Sequence, residues 1–424
     1  MKYLNSLFAA VLVLWTSSVA SADLPWGGTL RGYIDGALVL TDDNSGWTDR
    51  GPGRGRYGGS SNGERRLRLT VPEASLIADT IITPSLMASV QLKYDDEQRN
   101  AVDVSEAWLG WRSPPAPGVR WRVKLGTFFA PVSLENHALG WTSPYTISSS
   151  AMNTWVGEEL RTNGFELRAV VSGDESQLDV YGALYLAGDT AGTLLAMRGW
   201  AIHDREIALF DRAPLPDYAW TNFAGGPLVN QSRWFDPLHE MDDRPGYYLG
   251  LDWQSERWGR FNAVWYDNRT DPELLDVDGQ TSWHTWFGAV GYRGLVADNT
   301  TFIAQAMYGA TLWGRKNPLT GNRAMDAGFF TAYALLSYEL PRGRISARAE
   351  VFNTRDRDGV TILGFDTNEH GYAITLAWQY NLREDLRLTL EPQLISHERS
   401  ARARAGLPRE MQEVSVRANL RYLF

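Results

Sequence analysis

Cysteine is absent from all 424 residues of the sequence. Its absence excludes disulfide bonds, catalytic thiols and cysteine-ligated metal sites. Long apolar runs are missing as well. Beyond the amino-terminal segment, nothing approaches the roughly 18 consecutive apolar residues that a membrane-spanning helix needs. The fold must therefore be stabilised without crosslinks, and any membrane must be crossed without helices.

The amino-terminal segment has the pattern of an export signal. Lys2 supplies a positive start, residues 7–15 form a short apolar core, and Ala20-Ser21-Ala22 is an A-x-A cleavage site. An uncleaved membrane anchor is the alternative, but the apolar core is too short to span a bilayer. We expect residues 1–22 to be a signal peptide and the mature chain to begin at Asp23.

Excess charge is modest, with 41 basic against 50 acidic residues and a formal net charge of −9. This balance disfavours a nucleic-acid partner. Hydrophobic residues make up 44%, without long runs, while 40 Gly, 18 Trp and 18 Tyr are prominent. Such a composition is typical of a β-barrel in lipid, where alternate residues face hydrocarbon and aromatic rings collect at both interfaces. A soluble all-β protein remains the alternative at this level.

The carboxyl-terminal residues alternate between apolar and polar side chains, as in a strand with one greasy and one wet face. The apolar set is Tyr422, Leu420, Ala418, Val416 and Val414, and the polar set is Arg421, Asn419, Arg417, Ser415 and Glu413. A strand that finishes on a terminal Phe resembles the carboxyl-terminal signature of bacterial outer-membrane proteins. We therefore expect the barrel assembly machinery to recognise the Phe424 strand. We also expect outer-membrane lipid and lipopolysaccharide to surround the folded chain.

The same alternation recurs along the mature chain, and the spacers between the alternating runs are short and long in turn. The long spacers are residues 42–63, 96–102, 128–160, 188–245, 269–281, 314–326, 355–368 and 398–410. Eight long loops joined by seven short turns require sixteen strands, and outer-membrane barrels have this asymmetry of connections. A soluble sandwich has no reason to alternate its connection lengths.

We therefore predict an all-β fold, an antiparallel up-and-down transmembrane β-barrel of about sixteen strands, with short periplasmic turns and long extracellular loops. It forms one domain over residues 23–424 in the cell outer membrane of a Gram-negative bacterium. Fourteen or eighteen strands remain open, because both faces of residues 258–340 carry aromatic residues and alanine.

Sixteen strands enclose a channel rather than a core filled by side chains. The inward positions of strands two to six carry a basic wall of Arg66, Arg68, Lys93, Arg112, Arg120, Arg122, Lys124 and Arg168. The acidic residues opposing it are Glu64, Glu106, Glu166 and Asp179. Arg cannot lose its charge and its planar fork pairs with carboxylate or phosphate, so the wall favours anion conduction. The alternative is that arginine merely keeps the lining wet.

Residues 125–135, LGTFFAPVSLE, resemble the segment in which phosphate-selective porins of the O and P type leave the fifth strand. The resemblance extends to Gly164-Phe165-Glu166 and to the sixteen-stranded plan. It implies a homotrimeric, anion-selective channel with arginines along the lumen and lysines on the constricting loop. Loop 128–160 contains no Lys or Arg, so a general or organic-anion porin is expected rather than a phosphate channel.

In general porins the loop after strand five folds into the pore and narrows it. Loop 128–160 is long enough to have a function, and we expect it to constrict the pore, with Glu135, Glu158 or Glu159 facing the basic wall. A loop lying outside on the barrel rim is the alternative.

The still longer loop 188–245 contains many aromatic residues, which we expect to pack the loop together. They are Trp200, Trp220, Trp234, Phe210, Phe223 and Phe235, and a short helix is expected within residues 193–209. The alternative use of these rings is to stack on a substrate, which would make the protein a substrate-specific channel for sugars or aromatic compounds.

Catalytic signals are weak. Gly59-Ser60-Ser61-Asn62-Gly63 matches G-x-S-x-G but lies in a glycine-rich loop instead of a strand-turn-helix elbow. The six histidines are scattered, and Asp276-Val277-Asp278-Gly279 is better explained as a solvated turn than as a calcium loop. We expect no enzyme activity, no catalytic residues, no cofactor and no metal. The function predicted is a porin that passes small hydrophilic solutes; a barrel enzyme, or an adhesion or structural barrel without an open pore, remains the alternative from another class.

Overall fold

The computed structural model describes residues 22–24, 27–44, 46–59, 64–115, 117–216, 231–357 and 366–424. The predicted signal peptide, apart from Ala22, lies outside the described residues. So do Trp220 and Phe223 of the long aromatic loop and most of the G-x-S-x-G match.

Sixteen antiparallel strands close into a barrel. They are β1 (Gly28–Thr41), β2 (Arg66–Thr70 and Glu73–Thr83), β3 (Leu86–Asp95), β4 (Asp103–Arg112), β5 (Val119–Phe129), β6 (Arg161–Ser172), β7 (Ser176–Leu186), β8 (Gly246–Ser255), β9 (Gly259–Asp267), β10 (His284–Ala297), β11 (Thr300–Trp313), β12 (Met325–Leu340), β13 (Gly343–Asp356), β14 (Glu369–Arg383), β15 (Leu386–Arg399) and β16 (Glu410–Leu423). The predicted strand count is confirmed, against the alternatives of fourteen and eighteen.

Closure joins the last strand to the first. β1 pairs with β16 from Tyr33↔Leu423 to Thr41↔Ser415. The terminal Phe424 adds two backbone bonds, since its N–H donates to Gly32 O at 3.0 Å and Gly32 N–H donates to its carbonyl at 2.7 Å. A Cβ on Gly32 would lie 2.5 Å from the Phe424 ring, so glycine is required where the chain end docks. Closure removes the open edges that a bilayer could not solvate.

Short helical segments lie in the connections. The helices are α1 (Ala151–Glu159) and α2 (Thr193–Met197), with 3-10 turns at Trp47–Asp49, Leu139–Trp141 and Ser400–Ala405. Ser150 caps α1, because its side chain accepts a hydrogen bond from Asn153 N–H. The predicted helix within residues 193–209 is thus present as α2. Among the described residues, no helix combines the length and the apolar character that crossing a membrane would require.

The strand bounds reproduce the two sizes of connection. Short turns occupy residues 84–85, 113–118, 173–175, 256–258, 298–299, 341–342 and 384–385, and all lie at one end of the barrel. We call it the short-turn end; the opposite, long-loop end carries the long connections. In outer-membrane barrels the short turns face the periplasm.

Strand β2 differs from the single run expected over residues 64–78, because it breaks at Val71 and Pro72. Proline cannot donate a hydrogen bond to a neighbouring strand, so it is confined to edges and bulges. Inward side chains sit at even positions before the break, as at Arg68, and at odd positions after it, as at the buried Glu73. The break therefore keeps the charged side chains of both parts of β2 on the inner face.

The outer surface is a band of exposed apolar side chains. On β14 the outward residues Ile374, Leu376 and Trp378 are flanked by Tyr372 and Tyr380. Leu376 is 49% exposed although it lies in the middle of a strand. Apolar centres with aromatic ends are the arrangement of a barrel solvated by lipid.

This exterior yields the first prediction. Leu376→Arg places a charge near the middle of the apolar band and should cost roughly 2–4 kcal/mol of folding free energy in lipid vesicles. The control is Leu319→Arg, whose side chain is 93% exposed in the connection after β11, and it should change stability by no more than about 0.5 kcal/mol. Denaturant titration of refolding measures both, and equal stabilities would contradict a lipid-facing Leu376.

Candidate functional site

The inner wall has an apolar side, formed by β7 to β14, and loop 128–160 packs against it. Trp155 of α1 is 1% exposed. Its ring centroid lies 5.6 Å from Phe287, 5.3 Å from Phe329 and 6.1 Å from Trp200. Edge-to-face aromatic pairs contribute about 0.5–1.5 kcal/mol each beyond the area that they bury. The helix of this loop is therefore anchored to the inward faces of β10 and β12.

Polar bonds continue the docking across the interior. Leu134 N–H donates to Gln305 Oε1 at 2.8 Å on β11. On β15, Glu391 accepts hydrogen bonds from the backbone N–H groups of Ile147 at 2.5 Å and Ser148 at 3.0 Å. Buried backbone groups of the loop are thus satisfied by wall side chains. The loop leaves β5 and contacts strands far around the barrel.

Arg348 on β13 is the most heavily bonded wall cation. It is fully buried, and it lies 3.3 Å from Glu135 and 3.0 Å from Glu350. It also donates to the backbone oxygens of Ser148 at 2.7 Å and Ser149 at 2.9 Å. These bonds neutralise its charge and fix the middle of loop 128–160.

Part of loop 188–245 also lies in the interior and is held to α1 by charge. Arg198 makes two bonds of 2.7 Å to the carboxylate of Glu158, and His203 Nε2 lies 2.9 Å from the same group. Burial opposes ionisation of Glu158, but Arg198 and then His203 outweigh it and hold its pKa at about 2. Breaking a buried pair by removing one partner costs about 3–5 kcal/mol. The two loops therefore form one packed unit.

Within the described part of the chain, no cation lies within 4.0 Å of Glu159, the next residue. Burial raises its pKa to about 7, although Leu194 and Gly192 donate their N–H groups to it at 2.7 and 2.9 Å. The Glu159 carboxylate thereby accepts hydrogen bonds from backbone N–H groups at the start of α2.

Loop 188–245 is bonded to the wall as well as to its neighbour. Asp204 pairs with Arg417 of β16 at 2.7 Å, and Glu206 lies 3.2 Å from Lys93 of β3. Residues 46–59 of a third connection enter beside it, with Arg54 at 2.6 Å from Glu369 of β14. Three long connections thus meet inside the barrel at its long-loop end.

Of the six aromatic residues singled out in loop 188–245, the structure describes four, and three of these are packed. Trp200 and Phe235 are fully buried, and Trp234 lies under the guanidinium groups of Arg50 and Arg212. Phe210 differs, because it is 68% exposed.

The three predicted loop carboxylates, Glu135, Glu158 and Glu159, are buried and have partners other than the basic wall of β2 to β6. Glu135 bonds to Arg348, Glu158 to Arg198, and Glu159 to backbone N–H groups. Their contacts therefore differ from the expectation that one of these carboxylates faces that wall. The bounds of the loop could be predicted from the sequence, but the cations to which its carboxylates bond could not.

Three of the eight residues of the predicted basic wall, Arg68, Lys93 and Arg168, are involved in ion pairs. Lys93 is buried between Glu73 and Glu206, and Arg168 pairs with Glu166 at 3.0 Å and Asp179 at 3.2 Å. Arg66 and Arg68 lie near the long-loop end, where Arg68 is within 3.8 Å of Glu97. The remaining predicted acidic residues play minor parts: Glu64 is exposed before β2, and Glu106 accepts a bond from Phe129 N–H.

Four others lie apart from these ion pairs, although the charges of Glu106 and Glu166 act on Lys124 from a greater distance. Among the residues that the structure describes, no carboxylate lies within 4.0 Å of Arg112, Arg120, Arg122 or Lys124. Their polar contacts are weaker, such as Arg120 to Ser172 Oγ at 3.0 Å. The Lys124 ammonium lies 4.3 Å from the centroid of Trp108. These four cations lie on β4 and β5 towards the short-turn end.

Basic residues on the opposite wall were not among the predicted site residues. Arg387, Arg417 and Arg421 occupy inward positions of β15 and β16, as their alternation with apolar residues could have indicated. Arg421 pairs with Asp35 at 2.7 Å. Most of these guanidinium groups have carboxylate partners. The two walls therefore differ in how many of their cations are paired with carboxylates, rather than in how many cations they carry.

The turn predicted at Asp276 is present. Asp276 accepts hydrogen bonds from the N–H groups of Asp278 at 3.0 Å and Gln280 at 2.8 Å, and its second oxygen contacts His239. Local bonding therefore accounts for these oxygens.

No protein-family model matches the chain, and no curated protein sequence matches it. Solved structures are similar to it over nearly the full length. The outer-membrane channel DcaP of Acinetobacter baumannii is 14% identical, with 96% of this chain and 100% of that chain covered and a TM-score of 0.55. Salmonella typhi OmpF, in complex with daunomycin, is 10% identical, with 95% and 100% covered and a TM-score of 0.52. A loop-deletion variant of OmpT from Vibrio cholerae is 8% identical, with 96% and 100% covered and a TM-score of 0.50.

These likenesses show that the chain has the barrel fold of outer-membrane proteins. The resemblance to phosphate-selective porins stays a prediction. Together with the apolar exterior, the fold places the protein in the outer membrane of a Gram-negative bacterium.

The Glu158–Arg198 pair generates the second prediction. Arg198→Met leaves the buried carboxylate with His203 and should weaken loop docking by about 3 kcal/mol, which is roughly a hundredfold faster amide exchange in α1. Adding Glu158→Gln removes the stranded charge and should restore most of the protection. Hydrogen exchange of the purified protein measures this, and identical exchange in both variants would mean that the pair does not join the loops.

Proposed function

We propose that the protein is an outer-membrane porin through which small hydrophilic solutes diffuse, with a preference for anions. The observation that carries the proposal is a set of inner-face cations, Arg112, Arg120, Arg122 and Lys124, that have no carboxylate within 4.0 Å among the described residues. Fixed charges beside low-dielectric walls raise the local concentration of counter-ions. Arginine keeps its charge at any physiological pH, so the preference would not depend on pH.

Loop 128–160 would be the constriction. Its support is the chain of bonds from Leu134 to Ser148 that holds it across the interior. Two cavities of about 30 Å³ each lie between this loop and the wall of β1, β15 and β16. One is lined by Thr142, Arg387 and Arg421 and the other by Ser148 and Arg417, among other residues. Because each has room for only about two water molecules, only small solutes would pass along this side without loop movement.

The narrowness of these cavities favours a second candidate, a substrate-specific channel whose solute displaces the interior loops. The two candidates share the barrel and differ in conductance. A porin gives stable steps in a planar bilayer with salt alone, whereas a substrate-specific channel gives small steps that its substrate blocks. Absence of conductance under every condition would overturn both.

We also propose a homotrimer, in keeping with the resemblance to trimeric porins, and assembly through the Phe424 strand. The support for the latter is the docking of Phe424 on Gly32, which completes the barrel seam.

Replacing Arg120, Arg122 and Lys124 together by Gln should shift the reversal potential in a salt gradient towards cation preference, because three positive charges are lost. Replacing Arg315, Lys316 and Arg323 by Gln removes the same charge from the connection after β11 and should shift it little. An unchanged reversal potential in the first variant would mean that its three residues do not line the conduction path.

Shortening the interior part of loop 188–245 should widen the path. Replacing residues 193–211 by a short Gly-Ser linker should raise single-channel conductance several-fold, because these residues occupy the interior. Deleting residues 317–322 of the exposed connection after β11 is the control and should leave conductance unchanged. Equal conductance in both variants would show that loop 188–245 does not narrow the path.

A further inference from the structure

A larger cavity, of about 420 Å³, lies at the short-turn end against the inner wall of β2 to β6. This volume is within the range of small-molecule sites, about 300–1,000 Å³. Its lining combines apolar and cationic side chains, including Ile81, Met87, Trp108, Arg112, Arg122 and Lys124.

The arrangement of the cations favours the binding of an anion. In the strand register Arg112 lies directly opposite Arg122, and Arg122 lies directly opposite Arg168. Like charges directly opposite on neighbouring strands destabilise a sheet. Arg168 is compensated by Glu166 and Asp179, whereas Arg112 and Arg122 have no carboxylate within 4.0 Å among the described residues.

Glu166 also lines the cavity, but its oxygens are already engaged. One accepts two bonds from Arg168 at 3.0 and 3.1 Å, and the other accepts the Tyr248 hydroxyl at 2.6 Å. It therefore leaves Arg112, Arg122 and Lys124 as a net positive group around the cavity.

The apolar part of the lining favours a ligand that also has an apolar body. Ile81 is 62% exposed and Met87 36% exposed, and both belong to the inner face near the short-turn end. Covering such surface is favourable by about 25 cal/mol per Å². Trp108 offers a ring beside the Lys124 ammonium, and Gly110, opposite Lys124, keeps the space clear. A Cβ at Gly110 would lie 3.0 Å from the Trp108 ring and 3.1 Å from Met87.

We infer that this cavity binds a small organic anion with a planar or aliphatic apolar body. Its carboxylate bonds to Arg122 and Lys124 between the facing arginines, and its body covers Trp108, Met87 and Ile81. The inference deepens the proposed function and rests on it for the route by which the ligand enters the lumen.

Isothermal titration of the purified full-length protein in detergent tests this with five probes. Benzoate and cyclohexanecarboxylate carry both features, acetate and inorganic phosphate carry charge alone, and benzyl alcohol carries the ring alone. Benzoate should bind at least about tenfold more tightly than acetate, phosphate or benzyl alcohol. Arg122→Gln and Lys124→Gln should each weaken benzoate about tenfold, which corresponds to about 1.4 kcal/mol for a charged hydrogen bond.

Two further variants complete the design. Trp108→Leu should weaken benzoate more than acetate, because it removes the ring that the apolar body covers, whereas acetate loses only the effect of that ring on the Lys124 ammonium. Arg257→Gln is the matched control: its guanidinium lies 4.9 Å from the Trp258 ring in an exposed short turn, and benzoate affinity should not change. Heat-modifiable migration on gels reports whether each variant is folded.

Phosphate or acetate binding as tight as benzoate would overturn the inference, and so would tight binding of benzyl alcohol or no binding of any probe. Bilayer recordings separate this outcome from the proposed function. Anion conductance without benzoate binding would overturn the inference alone, and benzoate binding without conductance would overturn the proposed porin alone.

Discussion

Trp155 rests against Phe287, Phe329 and Trp200, and the arrangement of the interior depends on this contact. It seats α1 on the apolar side of the wall, which brings Glu158 to Arg198 and thereby draws the second loop inward. A wide sixteen-stranded barrel would otherwise enclose water. The aromatic anchor instead fills the side of the interior next to β10 and β12 with residues of the loop.

The fold could be predicted because a lipid-facing strand has only two kinds of position. Alternation at residues 413–424 and 372–380 identified the strands, and the two sizes of spacer gave their number. The strands within residues 258–340 were harder to predict from alternation, and the structure shows why. Their inward residues, such as Phe287 and Phe329, are apolar because a loop covers them, so both faces of these strands are hydrophobic.

The candidate site was predictable in composition but not in pairing. Period-two alternation predicts Lys93, Arg168 and Arg122 on the inner face; in the structure Lys93 lies between two carboxylates and Arg168 pairs with two. Which of them stays charged towards the lumen depends on carboxylates that arrive from elsewhere in the chain. Glu206, which pairs with Lys93, lies in a loop more than a hundred residues further along the chain, and no local sequence pattern indicates such a partner. The same limit hid the partners of Glu135 and Glu158.

The contacts of loop 128–160 with β15 have a consequence for biogenesis. Ile147 and Glu391 are 244 residues apart in the chain, so this bond cannot form until the last strands are in place. Contacts between distant residues also carry the largest loop-closure entropy and form late. Loop 128–160 can therefore reach its final position only after β15 has been added to the wall, so the docking of an early loop depends on one of the last strands to be made.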